Sequence, residues 1–225
     1  MDRSRARTGC AVGGIFSLHP AGLHGANGQP GLGLLLSAAH SPQRAAPSAW
    51  VSRWSHLVTP GATVLDVACG AGRHLAWFAG RGHQVVGIDR DISAARDLEH
   101  VVQLVEADIE SGPWPLAGEG GPQVFAAVVV TNYLWRPLLP TLLHSLAPGG
   151  LLIYETFAAG NETVGRPSRP DFLLQRGELL KVCKDLRVVA FEDGFLPSPD
   201  RFVQRIAAVR PELKPATDKP SLYPL

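Results

Sequence analysis

Three aspartates mark apolar runs of the chain. Asp66 lies in Val64-Leu65-Asp66-Val67, Asp89 closes Val85-Val86-Gly87-Ile88, and Asp108 follows the run from Val101 to Ala107. Asn132 follows a fourth run, Val124 to Thr131. Short apolar runs bounded by turn residues read as buried strands of a parallel sheet. Parallel strands would bring all four polar residues to one carboxyl edge, where open α/β sheets bind their ligands. After Asp66 comes Ala68-Cys69-Gly70-Ala71-Gly72. Its glycines let a ligand approach the backbone. The helix expected after it offers free N–H groups at its first turn.

The residue types narrow the ligand. Gly70-Ala71-Gly72 begins a dinucleotide fingerprint, but Leu75 stands where the third glycine belongs. A carboxylate at Asp66 would repel a pyrophosphate, whereas it would accept hydrogen bonds from an ammonium group or hold the turn. Asp89, 17 residues beyond Gly72, is near the position where a carboxylate holds both ribose hydroxyls. The expected ligand carries a cation and lacks phosphates.

Strand-like and helix-like segments alternate around these residues. Pro47 to Val58 places Trp50, Trp54, Leu57 and Val58 on one helical face. The spacing predicts strands over Thr63–Ala68, Gln84–Asp89, Val101–Ala107, Val124–Thr131 and Gly150–Glu155. Helices are expected over Arg73–Arg81, after Ser93 as a cap, over Leu138–Leu146 and within Gln175–Leu186. Two last runs, Arg187–Phe191 and Phe202–Val209, have no helix between them and must pair antiparallel. The expected fold is α/β: a Rossmann-like, doubly wound, mostly parallel seven-stranded sheet with one antiparallel edge strand and helices on both faces.

At 225 residues the chain suits one domain. Its formal net charge is +1, with Lys and Arg scattered, which argues against a nucleic-acid face. No apolar run approaches the roughly 20 residues of a membrane span. Cys10, Cys69 and Cys183 have no disulfide or metal spacing, so no metal is expected and a reducing cytoplasm fits. Residues 1–46 are rich in Gly, Ala and Pro and read as a disordered extension, a targeting segment or an early start. The catalytic domain is expected over 47–210, and residues 211–225 read as a Pro-rich, frayed tail.

In their order, these segments resemble the class I S-adenosylmethionine-dependent methyltransferases. Val64 to Gly72 is similar to the family's first motif, with Ala68 in place of its usual first glycine, and Leu146-Ala147-Pro148-Gly149-Gly150-Leu151 to its turn into the fifth strand. The resemblance implies S-adenosylmethionine as cofactor. It implies cofactor contacts from Asp66, Ala68, Cys69, Gly70, Gly72, Asp89, Arg90, Asp108, Ile109, Thr131 and Asn132. Gly70 and Gly72 would line the methionine part, Asp89 would hold the ribose, and Asp108-Ile109 would flank adenine. Tyr154-Glu155-Thr156-Phe157, Gly160-Asn161-Glu162 and Gly165-Arg166-Pro167 are similar to bacterial methyltransferases of the tellurite-resistance type, which implies a small-molecule acceptor. Thr131-Asn132-Tyr133-Leu134 differs from the Asn/Asp-Pro-Pro-Tyr/Phe turn of nucleobase and amide methylation, against a DNA or glutamine acceptor.

The acceptor pocket has five candidates: Tyr133, Trp135, Tyr154, Glu155 and Arg166. The aromatics serve equally as core residues. Glu155 and Arg166 either pair with each other or face the pocket, Arg166 holding an anionic acceptor while Glu155 takes its proton. His74 and His144 read as packing or surface residues, and Cys69 lacks a base partner that would make it a nucleophile. A monomer or homodimer is expected, with no nucleic-acid or membrane partner. A SAM-sensing module without turnover and a nicotinamide-dependent oxidoreductase remain alternatives.

Overall fold

Strict alternation along the central strands sorts their side chains into two cores, one on each side of a single sheet. In the computed structural model, residues 44–118, 121–212 and 222–225 are described, all within one compact unit. Residues 1–43 of the expected extension and 213–221 of the expected tail lie outside them. The sheet strands are β1 (Thr63–Val67), β2 (Gln84–Asp89), β3 (Gln103–Glu106), β4 (Phe125–Thr131), β5 (Leu146–Phe157), β6 (Arg187–Leu196) and β7 (Arg201–Val209). The helices are α1 (Ala49–Trp54), α2 (Arg73–Ala79), α3 (Leu139–His144) and α4 (Glu178–Val182).

The strand order is β3-β2-β1-β4-β5-β7-β6. All pairs are parallel except those of β7, which runs antiparallel to both β5 and β6. The one reversed strand therefore enters at the β6 edge of the sheet, just inside the outermost strand. From β1 the chain builds outward to β3, then crosses back to β4 on the other side of β1. That reversal leaves a crevice at the carboxyl ends of β1 and β4.

Leu65, Val67, Val128, Val130, Leu152 and Ile206 face the α3 and α4 side with Leu139, Leu142 and Leu179. Val64, Val129, Ile153 and Ala207 face the α1 and α2 side with Trp50, Trp54, Leu75 and Phe78. By the same parity Asp66 and Glu155 point to the α1 and α2 side, into a core where a carboxyl is costly. No described helix is long and apolar enough to cross a membrane.

Local departures from the expected elements have physical causes. Pairing of β4 with β5 slips between Phe125 and Ala127, whose partners are Leu146 and Leu151. The Pro148-Gly149-Gly150 turn is thus a bulge inside a longer β5 rather than its entrance. Ser93 does not cap the turn that follows; its amide donates to Asp91 Oδ1 at 2.9 Å, so Asp91 is the brace. Beyond the tail's undescribed part, Tyr223 lies under the Arg187 guanidinium and the Pro224 carbonyl meets His56 Nε2 at 3.1 Å. Tyr223 and Pro224 thus touch the domain, while Leu222 and Leu225 stay exposed.

Candidate functional site

A cleft of about 350 Å³ opens at the carboxyl ends of the strands, lined by Ala68, Asp89, Arg90, Asp108, Ile109, Glu110 and Tyr133. Its lining comes from the ends of β1, β2, β3 and β4, four elements that meet only once the sheet is assembled. Three carboxylates face one guanidinium there. Such a set favours a cation and hydroxyl or amine donors over phosphates, and it leaves room for a small molecule.

The turn after β1 is shaped by left-handed backbone. Ala68 (φ 55°), Gly70 (φ 53°) and Gly72 (φ 75°) all take it. A side chain at Gly70 would meet nothing within 4 Å, so the turn presents open backbone there. At Gly72 a Cβ would come within 2.8 Å of Leu98 Cδ1 and 3.3 Å of Ala95 Cβ, so that glycine packs the turn onto the wall after β2. Ala68 occupies a conformation that suits glycine better, at a cost of roughly 1 kcal/mol. The Gly70 amide donates to Asp89 Oδ2 at 2.8 Å, and the Asp91 amide to Asp89 Oδ1 at 3.2 Å. Arg44, within the stretch read as an extension, donates from Nε to the Ala71 carbonyl at 2.7 Å and pairs with Asp97.

Asp108 is held by its own turn. Its Oδ1 accepts from the Glu110 and Ser111 amides at 3.0 and 3.3 Å, and its Oδ2 from Ser111 Oγ at 2.5 Å. The Ser111 hydroxyl, chiefly, holds the carboxyl below its usual range. Ile109 stands beside it at the cleft wall. Asn132 also takes a left-handed φ of 55°, which its side chain tolerates, and Thr131 Oγ1 lies 3.4 Å from Arg73 Nη2.

Behind the turn lies a buried polar chain. Asp66 is 1% exposed and burial pushes its carboxyl up to about 8, with Arg73 lowering it and Asp89 raising it. His74, 2% exposed, stands with Nδ1 3.8 Å from Asp66 Oδ2, and its Nε2 accepts from the Ser48 amide at 3.1 Å. Burial pushes His74 down to about 3, so the ring is neutral. Ser48 Oγ donates to Glu155 Oε1 at 2.9 Å, and Arg205 Nη1 donates to Glu155 Oε2 at 3.3 Å. Arg205 continues to Glu192 through Nε at 2.7 Å.

The expected Glu155–Arg166 pair is therefore not formed. Arg166 is exposed, while the β5–β7 register sets Glu155 directly opposite Arg205. Opposite charges across two strands are the favourable arrangement. Tyr154 is a core residue, 1% exposed, whose hydroxyl donates to the Tyr133 carbonyl at 2.8 Å and so steadies the loop after β4. Tyr133 itself lines the cleft; burial, then the neighbouring Glu110 carboxylate, raises its pKa. Trp135 packs half-buried against the α3 and α4 core. Burial raises the Cys69 thiol well above its usual range, against any nucleophilic role. Sequence reasoning missed Glu110, Arg73, Arg44, Ser48 and Arg205. The Asp108-x-x-Ser111 turn was the one signal available for the Glu110 position.

A family model described as "Methyltransferase domain" matches residues 64–150, the span from β1 to the bulge of β5. The chain is 42% identical over 162 residues to a thiopurine S-methyltransferase of Pseudomonas fluorescens (strain Pf0-1), covering 68% of each protein. It is 36% identical over 104 residues to a tRNA U34 carboxymethyltransferase of Klebsiella pneumoniae, covering 43% of this chain and 31% of that one. The crystal structure of TehB from Haemophilus influenzae superposes with a TM-score of 0.58 at 17% identity, over 71% of this chain and 61% of that chain. Thus the chain spans about three-fifths of the length of TehB and about a third of the tRNA enzyme. Sheet order, crevice and glycine turn are those of one family, and this chain belongs to it: the class I S-adenosylmethionine-dependent methyltransferases.

Proposed function

We propose that the cleft holds S-adenosylmethionine and that the methyl goes to a small, soft sulfur or heavier chalcogen nucleophile. Asp89 would meet the ribose hydroxyls, Ile109 and Asp108 the adenine, and the turn from Asp66 to Gly72 the methionine end, with Arg90, Thr131 and Asn132 beside it. The acidic lining and the open backbone at Gly70 support that placement. When bound, the cofactor supplies a methyl already activated by its sulfonium. The protein then needs to align the acceptor and exclude water, and alignment alone is worth about 7–11 kcal/mol in favourable cases.

One observation carries the choice of acceptor: Glu155, the residue the sequence offered as a proton acceptor, is committed elsewhere. Glu155 is tied to Ser48 and Arg205. His74 is sealed and neutral, and the Tyr133 and Tyr154 hydroxyls are raised by burial. An acceptor that ionises by itself near neutral pH needs no protein base, and a thiol does so more readily than a phenol. Similarity to a thiopurine S-methyltransferase supports the same class. A free small molecule in a reducing cytoplasm, rather than nucleic acid, fits the balanced charge and the free Cys69 and Cys183.

The test is release of S-adenosylhomocysteine with thiophenol against phenol at pH 7. Ionisation separates a cysteine-type thiol from a phenol by about 30-fold, and the more acidic thiophenol by much more, so a preference well above 30-fold is expected. Equal rates for the two would overturn the assignment.

A further inference from the structure

Asp66 Oδ2 is sealed from solvent and makes no hydrogen bond. Buried polar atoms are nearly always partnered, and an orphan calls for an explanation. His74 Nδ1 stands 3.8 Å away, beyond hydrogen-bond reach. Which ring nitrogen carries the proton follows from the other contact: Nε2 accepts from the Ser48 amide, so the neutral ring holds its hydrogen on Nδ1, aimed at Asp66.

The surroundings decide the charge of the carboxyl. Arg73 and His74 face it from α2, Asp89 from the end of β2, and Cys69 from the turn. Of these only Arg73 is a cation, and it is drawn partly to Thr131 Oγ1. Burial outweighs it, so at neutral pH the group is the uncharged acid. An ammonium arriving at the turn would be the missing opposite charge.

We propose that an ammonium-bearing ligand at the glycine turn displaces one proton from Asp66 to solvent, with His74 a positioning residue whose Nδ1–H closes on the carboxylate so formed. This rests on the placement of the cofactor's methionine end given above. The balance is simple: the Asp66 O–H bond breaks, the proton leaves to buffer, and the ligand keeps its own ammonium protons. An ion pair replaces a neutral acid, so the site gains no net charge beyond that of the ligand minus the released proton.

Calorimetry of S-adenosylhomocysteine binding tests this, in two buffers of different ionisation enthalpy at pH 6.5. That ligand carries the ammonium, which is protonated at this pH, and turns over no acceptor. Wild type should release about one proton per ligand bound, and Asp66→Asn none. His74→Gln sets its carboxamide at the Nε2 end of the ring's position, keeping an acceptor for Ser48 but placing no donor at the Nδ1 position that faces Asp66; it should bind about tenfold more weakly and release clearly less than one proton. His74→Asn, which returns an N–H near the Nδ1 position, should restore the proton count. Binding by wild type without proton release overturns this inference while sparing the cofactor assignment. Absence of any binding overturns both, and a His74→Gln variant with wild-type affinity and proton count removes His74 from the scheme.

Discussion

The Gly70 amide donates to Asp89 Oδ2 at 2.8 Å, so the acid that closes β2 is also the brace of the turn that follows β1. One side chain thereby ties two strand ends together at the mouth of the cleft. The ribose role proposed for Asp89 and this bracing role predict different things for different substitutions.

Asp89→Ala is expected to weaken S-adenosylhomocysteine binding by orders of magnitude and to lower stability by about 1–2 kcal/mol, because the Gly70 amide loses a charged acceptor. Asp89→Asn keeps an oxygen for Gly70 and should recover most of the stability but not the affinity. Urea melts and ligand-induced thermal shifts on both variants separate the two roles. An alanine variant as stable as wild type would remove the brace.

Ala68 sits in the left-handed region that glycine occupies freely. Ala68→Gly should raise stability by up to about 0.5 kcal/mol, the relief of the Cβ strain less the added freedom of the unfolded chain. The melting temperature is the readout, and a decrease would show that residue 68 is not strained.

The pair behind the turn predicts a pH profile for the ligand-free protein. Asp66 is raised from 3.8 to about 8, so the fold binds a proton over that window and loses stability as pH rises through it. His74 is lowered from 6.5 to about 3, so the fold loses stability as pH falls through that window. Between pH 3.8 and 6.5 the two slopes oppose each other; above 6.5 Asp66 acts alone. Their joint effect should be level in the lower range and then decline by on the order of 2 kcal/mol up to pH 8. Denaturant melts of wild type and Asp66→Asn at pH 6.5 and 8 measure this, and an unchanged decline in the variant would place its origin elsewhere.

The strands and their succession along the chain were legible because each is a short apolar run ending in a polar residue or a glycine turn. Asp89 and Asp108 accordingly meet at one carboxyl edge of the sheet, in the cleft. What each carboxylate does was less legible. Glu155 lies 11 residues from Arg166 in sequence, yet its partner is Arg205, because a reversed strand brings its register from farther along the chain. His74 looked like a packing residue; only the fold brings the Ser48 amide to its Nε2 and so fixes its proton. Tyr154, offered as a pocket aromatic, alternates instead to the α3 and α4 face, where its hydroxyl reaches the Tyr133 carbonyl. Long-range pairings of this kind leave no periodicity to read.

Trp50 Nε1 donates to the Ile206 carbonyl at 3.2 Å, and the Arg205 guanidinium lies over the Trp50 ring. This pins α1, and with it Ser48, to β7, the final sheet strand in the sequence. During synthesis the glycine turn and its three aspartates emerge early, but the strand that seats Ser48 against His74 emerges last. A nascent chain stalled before residue 201 would hold the cleft's lining residues without the support behind them, so the ability to retain a ligand should arrive late in translation.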